Sequence, residues 1–260
     1  VARYGLNQKL TGEQYFYGVQ VGGTYKLADN FSVFGGVRTV LASCSYVGGI
    51  TGINGDVKLP EAMGGVVMPN QIQSDDLLLD CSQSGTGFTP IIGLDWNLGK
   101  LNLAAKYEFR TKINLENESS NTPNVDVMMP AYANKAKVRS DIPAILTLGA
   151  QYQLTDAVRV MGGFHYYWDK DAKAGLAGSS KLMNYGDNTW EANLGLEWDV
   201  NDKVLLSIGG QRTQYGFDDA DMVDTSFNIS STAVCVGGAY KFSEKMKLNV
   251  GYMHSFYGEH

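Results

Sequence analysis

The chain contains no run of apolar residues approaching the roughly 20 that a membrane-spanning helix requires. It has no positively charged, apolar leader at Val1 and no cluster of basic residues denser than Lys135, Lys137 and Arg139. The first absence excludes helical spans but leaves strands open, because a barrel wall needs only about 9–11 residues per crossing and hides its hydrophobicity in alternation. The scarcity of basic residues, 21 against 27 acidic for a net charge of −6, argues against a nucleic-acid partner. Cysteine and histidine are also scarce. Cys44, Cys81 and Cys235 form no CxxC or CxxH pair, and only His165, His254 and His260 could share a metal, so no metal site or cofactor is expected. A Cys44–Cys81 disulfide is conceivable in an oxidising compartment, the alternative being inert thiols.

What the chain does have is alternation. From Tyr15 the odd positions read Tyr15, Tyr17, Val19, Val21, Gly23, Tyr25 and Leu27, against Phe16, Gly18, Gln20, Gly22, Thr24 and Lys26 at the even ones. A period of two predicts a strand with one apolar face. Past Asp29-Asn30 the residues Phe31, Val33, Val37 and Leu41 resume that face opposite Ser32, Phe34 and Arg38, so two strands meet at a tight turn. The unit recurs around Gly99-Lys100, Thr155-Asp156, Asn201-Asp202-Lys203 and Ser243-Glu244-Lys245, predicting ten strands in five hairpins.

The connections between hairpins are different in kind. They run at about 53–87, 119–135, 173–187 and 216–225 and are rich in Asp, Asn, Ser and Gly. Short turns on one side and long polar loops on the other match an outer-membrane barrel, turns periplasmic and loops extracellular. Aromatic residues mark both levels: Tyr25, Phe31, Trp96, Tyr152, Trp198, Tyr240 and Phe242 beside the turns, and Tyr15, Tyr107, Phe109, Tyr166, Trp168 and Trp190 toward the loops. A soluble barrel would need a second layer to cover the apolar face, and the sequence supplies none. The expected fold is all-β: a transmembrane antiparallel up-and-down β-barrel in a bacterial outer membrane, with residues 1–260 as one barrel domain.

If the apolar set faces lipid, the other set lines the lumen. It contains Phe34, Arg38, Lys106, Glu108, Arg110, Arg159, Met161, His165, Tyr167, Glu191, Glu197 and Met253. Such a mixture suits an amphipathic guest, with arginines available for a carboxylate head. The competing reading is that Met and Phe fill space while Lys106, Glu108 and Arg110 pair with Glu191 and Glu197 across the lumen.

The hairpins resemble the FadL-type outer-membrane long-chain fatty acid transporters, in the branch common among Bacteroidetes. The likeness is carried by Gly87-Phe-Thr-Pro-Ile-Ile-Gly-Leu-Asp-Trp96, Tyr107-Glu-Phe-Arg-Thr-Lys-Ile113, Asp141-Ile-Pro-Ala-Ile-Leu-Thr-Leu-Gly149, Phe164-His-Tyr-Tyr-Trp168, Thr189-Trp190, and Gly238-Ala-Tyr-Lys241 through Leu248-Asn-Val-Gly-Tyr-Met253. The resemblance implies a 14-stranded barrel with an N-terminal hatch and a kinked strand that opens a lateral exit, carrying hydrophobic compounds passively and without cofactor. Phe34, Arg38, Arg110, Met161, His165, Tyr167 and Met253 are then the expected lumenal binding residues, placed by their position on the inward face. The segment 53–87, with Leu59, Met63, Val67, Met68, Leu77 and Leu78, looks like the family's capture region, since apolar content in an exposed loop needs a partner surface. The expected partners are membrane lipids and a hydrophobic small molecule, with monomer or oligomer left open.

The family's hatch and first strands have no counterpart here. With the five turns periplasmic, both ends of the chain would be extracellular, so the expectation is ten central strands of a longer barrel. Two other functions compete. One is a surface barrel whose loops bind a host or partner molecule. The other is an omptin-like protease using Asp218, Asp219 or Asp221 with His165, for which a solvated acidic loop is the blander account.

Overall fold

A computed structural model of the chain describes residues 3–59, 65–73, 75–173, 175, 186–216 and 228–258. The strands are β1 (Arg3–Ala28), β2 (Phe31–Lys58), β3 (Val67–Gln73), β4 (Leu77–Leu98), β5 (Leu101–Glu108), β6 (Asn114–Ser119), β7 (Lys137–Arg139), β8 (Ile145–Gln153), β9 (Val158–Tyr167), β10 (Thr189–Asp199), β11 (Val204–Gln214), β12 (Ser231–Ser243) and β13 (Met246–Tyr257). One short helix, α1 (Pro123–Met128), follows β6. Ten strands form a continuous antiparallel wall in the order β1-β2-β4-β5-β8-β9-β10-β11-β12-β13, while β3 pairs with β2, and β6 and β7 pair beside β4. Each wall strand lies next to its chain neighbour in the up-and-down order expected of the fold.

Local chemistry sets the turns. Gly99 takes a φ of +75°, which costs glycine little, and its N–H donates to Asn97 Oδ1 at 3.0 Å. Asn201 Oδ1 accepts from the N–H groups of Lys203 and Val204, closing the β10–β11 turn in the same way.

Across the membrane-spanning part of the wall the apolar face points outward. Val19, Val21, Phe88, Ile92, Leu194, Ile208, Val236 and Val250 are all exposed. Registers such as Val21 opposite Val37, Val37 opposite Pro90 and Leu194 opposite Gly210 keep apolar positions in common rows. Water would not leave such a surface uncovered; lipid does.

The predicted loop at 53–87 is corrected: β2 runs on to Lys58, β3 occupies Val67–Gln73 and β4 starts at Leu77. β1 and β2 span 26 and 28 residues, well over twice the length of a membrane crossing, so their outer halves project beyond the bilayer. The outer face shows where the bilayer ends. It is apolar at Tyr15, Leu41 and Phe88 and polar at Thr11, Glu13, Ser43, Ser45, Ser82 and Ser84, and Tyr15, Ser43 and Ser84 lie opposite one another across the three strands.

Above that line the polarity of the wall inverts. Cys44, Leu79 and Cys81 are buried on the inner face, beside Tyr46. The predicted loop at 119–135 is instead an ordered cap of α1 and a 3₁₀ turn at Pro130–Tyr132 that packs on this inner face. Most of 173–187 and 216–225 lies outside the described residues.

Candidate lumenal site

The cap is built by a register change in the wall. Ile91 of β4 opposes Glu108 of β5, and seven residues back (91 − 84) Ser84 opposes Glu116, eight residues on (116 − 108). One extra residue therefore lies on the β5–β6 side, and since side chains alternate, a single insertion turns every following residue to the other face. Tyr107 points outward, whereas Ile113, Leu115 and Asn117 are buried inward. The backbone between the two strands crosses directly over Gly85 and Gly87. A Cβ on Gly87 would stand 2.6 Å from Thr111 Cγ2 and 3.0 Å from the Lys112 carbonyl, and one on Gly85 would stand 2.5 Å from the Asn114 carbonyl.

Burial drives this detour. Ile113 and Leu115 pack on Val40, Ala42 and Cys44, and each buried side chain contributes about 1.5–3 kcal/mol. Each ladder bond forgone between β4 and the detour costs only about 0.5–1.5 kcal/mol. Polar groups under the cap are paired. Asn117 Nδ2 donates to the carbonyls of Ala131 and Ala133 at 2.8 and 3.0 Å, and Asn117 Oδ1 accepts from Gln83 Nε2 at 2.9 Å. Asp141 holds the base of the detour, accepting both Arg139 Nη2 contacts and the N–H of Ile113.

Between the cap and the wall lies an apolar pocket of about 220 Å³, bordered by Leu10, Ile50, Leu77, Leu79, Val125 and Met128 among others. Of the expected capture residues, Leu77 lines it. Leu78 points to the outer face, Val67 is exposed and Met68 half-buried on the β2–β3 hairpin, and the Leu59 N–H donates to the Val66 carbonyl at 2.9 Å. Met63 lies outside the described residues. Val125, Met128 and Tyr132 were not among the expected site residues. Val125 and Met128 are spaced three apart on α1, a helical signal too short to stand out in sequence.

Toward the membrane the inner face carries three separate groups, so the expected lumenal residues do not converge on one site. Phe34 lies flat along the wall over Gly22 and Gly36, whose hypothetical Cβ atoms would meet its ring at 2.5 and 2.8 Å. Beside it Arg38 contacts Glu108 at 2.7 Å and Gln20 at 2.9 Å, while Lys106 contacts the other oxygen of Glu108 at 2.7 Å. Across the wall Glu191 accepts from Tyr167 at 2.9 Å and Thr213 at 3.0 Å and contacts His165 Nδ1 at 3.2 Å. Met161 and Met253 border a third region, a trough of about 560 Å³ over Gly209, Cys235 and Gly237. Arg110 reaches the Asp171 carbonyl, and Arg159 pairs with Glu197 and Asp199.

The cations of this face are thus mostly neutralised by neighbours on the same wall. The pairing of Lys106 and Glu108 is local, to each other and to Arg38, rather than across the lumen to Glu191 or Glu197. Among the described residues no group of three His, Cys, Asp or Glu is placed to hold a metal ion. Cys44, Cys81 and Cys235 are free thiols, so the conceivable disulfide is not formed. Burial pushes the Cys44 and Cys81 thiols above their ordinary range.

No protein-family model matches the chain, and no curated protein does. Its fold is found among solved structures. A Pseudomonas aeruginosa FadL homologue is similar over 99% of this chain and 67% of its own, with a TM-score of 0.69 and 18% identity. The Pseudomonas putida toluene transporter TodX matches 93% of this chain and 64% of its own, with a TM-score of 0.55 and 15% identity. The Ralstonia pickettii toluene transporter TbuX matches 95% of this chain and 69% of its own, with a TM-score of 0.51 and 13% identity. At these identities the likeness establishes the fold alone, an antiparallel barrel wall like that of these three proteins.

Proposed function

We propose that the chain is the wall of a passive outer-membrane channel for hydrophobic compounds. The observation that carries this reading is the apolar pocket under the cap, on the extracellular side of the membrane boundary and open to the inner face. A compound that leaves water there buries its surface against Leu77, Leu79 and Val125 at about 25 cal/mol per Å². It then meets a lumen of mixed polarity rather than a dry plug. The names of two of the similar channels, the toluene transporters TbuX and TodX, support the same chemistry.

Within that class the neutral compounds fit better than the carboxylates. Arg38, Lys106 and Arg159 are held by Glu108, Glu197 and Asp199, so a fatty-acid head would have to displace a carboxylate already in place. A rival reading, a surface barrel that binds a partner protein, draws on Val127, which is 81% exposed at the tip of α1.

Uptake of radiolabelled toluene and oleate by a deletion strain, complemented with the wild-type chain or with Val125→Asp, decides between them. The channel predicts lost uptake on deletion and a several-fold deficit in the variant, larger for toluene. Unchanged uptake of both compounds on deletion would sink it.

A further inference from the structure

On the lipid-facing side, β10, β11 and β12 carry a second, unrelated feature. The row Phe164, Ala192, Arg212, Thr232 and Phe256 crosses the wall at one level, through the registers of β9 to β13. Arg212 is therefore on the outer face, among residues otherwise suited to hydrocarbon. It is exposed, and its guanidinium donates to Thr232 Oγ1 at 3.1 Å and Gln214 Oε1 at 2.9 Å, both neutral acceptors. Among the described residues it pairs with no carboxylate. Directly below it, toward the membrane centre, an apolar groove of about 710 Å³ runs over Gly210 and Ala192 between Leu194, Ile208 and Val234. Trp190, one row above on β10, places Arg212 at the upper aromatic girdle, while Trp198 marks the lower one.

A guanidinium inside the hydrocarbon is costly unless it rises to the headgroup level and finds an anion there. Its planar donor fork matches a phosphate, and the groove below offers an acyl chain an apolar lining of Leu194, Ile208 and Val234. We propose that this groove is a lipid site in which Arg212 binds the phosphate of an acylated phosphosugar and the groove over Gly210 takes one of its acyl chains. The long excursions of the chain put this end in the outer leaflet, where lipid A has that chemistry. The assignment rests on the outer-membrane reading but not on what the channel carries.

The test uses the full chain purified in a non-ionic detergent, with lipid binding followed by native mass spectrometry. The probes are diphosphoryl lipid A, its dephosphorylated form and phosphatidylglycerol. The wild type should hold diphosphoryl lipid A about tenfold more tightly than Arg212→Gln, and Arg212→Lys should restore part of the loss. The dephosphorylated lipid should not distinguish the three proteins. Gly210→Leu, which fills the groove and keeps the charge, should weaken both forms of lipid A. Heat-modifiability on gels shows that each variant is folded, and toluene uptake should be unaltered by Arg212→Gln. Equal binding of diphosphoryl lipid A to wild type and Arg212→Gln would overturn the site. A preference for phosphatidylglycerol would overturn its assignment to lipid A.

Discussion

Tyr46 of β2 and Tyr132 of the turn after α1 meet edge to face, ring centroids 5.4 Å apart at 62°, and this contact fastens the cap to the wall. Cys81 lies fully buried in the same cluster, with Val125 beside it. Tyr132→Ala removes a buried aromatic ring, a loss of about 3–5 kcal/mol for a side chain of this size. Because the cap is a local unit, the cost should appear as easier local opening rather than collapse of the barrel. Maleimide labelling of Cys81, with Cys44 and Cys235 replaced by Ala, should then speed up by about a hundredfold or more. A rate unchanged from wild type would mean that the ring contact does not hold the cap closed.

A glycine of β4 and one of β2 make a sharper comparison. At Gly87 a methyl group would collide with Thr111 and Ile113, whereas at Gly35 of β2 nothing lies within 4 Å of the added atom. Gly87→Ala should destabilise the inward crossing by about 1–3 kcal/mol, as overpacking does. Gly35→Ala should be close to neutral. Thermal unfolding read by heat-modifiability on gels measures both, and equal behaviour of the pair would count against the crossing over β4.

Much of this architecture is legible in the sequence, and the rest has identifiable reasons for being hidden. The period of two places Val21, Leu94, Leu196 and Ile208 on the outer face because lipid demands an unbroken apolar surface there. The five turns follow from residues such as Asn201 and Gly99 that close a hairpin locally. The same alternation continues above the membrane, where Leu10, Cys44, Tyr46 and Leu79 are the apolar set, but it has changed faces. Read as loop, 53–87 conceals that change. The register shift between Glu108 and Glu116 carries no glycine or proline to announce it, and the paired Gly85 and Gly87 that accommodate it lie on the neighbouring strand. Val125 and Tyr132 are silent for the same reason: what they pack against is far away in sequence. Arg38 and Glu108 were recognisable as inward residues, but their 2.7 Å contact, which decides whether the arginine is free for a ligand, depends on a pairing of strands that alternation alone does not supply.

That ion pair leads to a prediction about selectivity. Glu108 is buried and neutralises two cations that are themselves partly exposed. Glu108→Gln leaves Arg38 and Lys106 without their carboxylate, at a cost to stability of about 1–3 kcal/mol for a charged hydrogen bond. It also leaves two positive charges on the inner face. Uptake of oleate relative to toluene should rise several-fold in the variant. A falling ratio would show that Glu108 is not what discriminates against the carboxylate.

The buried thiols supply a dependence on pH. The pKa values of Cys44 and Cys81 are raised, chiefly by burial, while in the unfolded chain the thiols titrate near their ordinary value of 9.0. A raised folded value means that the folded state favours the protonated thiol. Stability from this source is therefore complete below pH 9.0 and is lost as pH climbs from there through the raised folded values. The cap should loosen on the alkaline side, seen as faster proteolysis of the segment from Asn114 to Arg139 above pH 9.0. Replacing Cys44 and Cys81 together by Ala removes the titrating groups while keeping the sites apolar, so the variant's cleavage rate should depend less on pH over the same range. An identical alkaline rise in both proteins would place the sensitivity in some other group and leave these two thiols as packing alone.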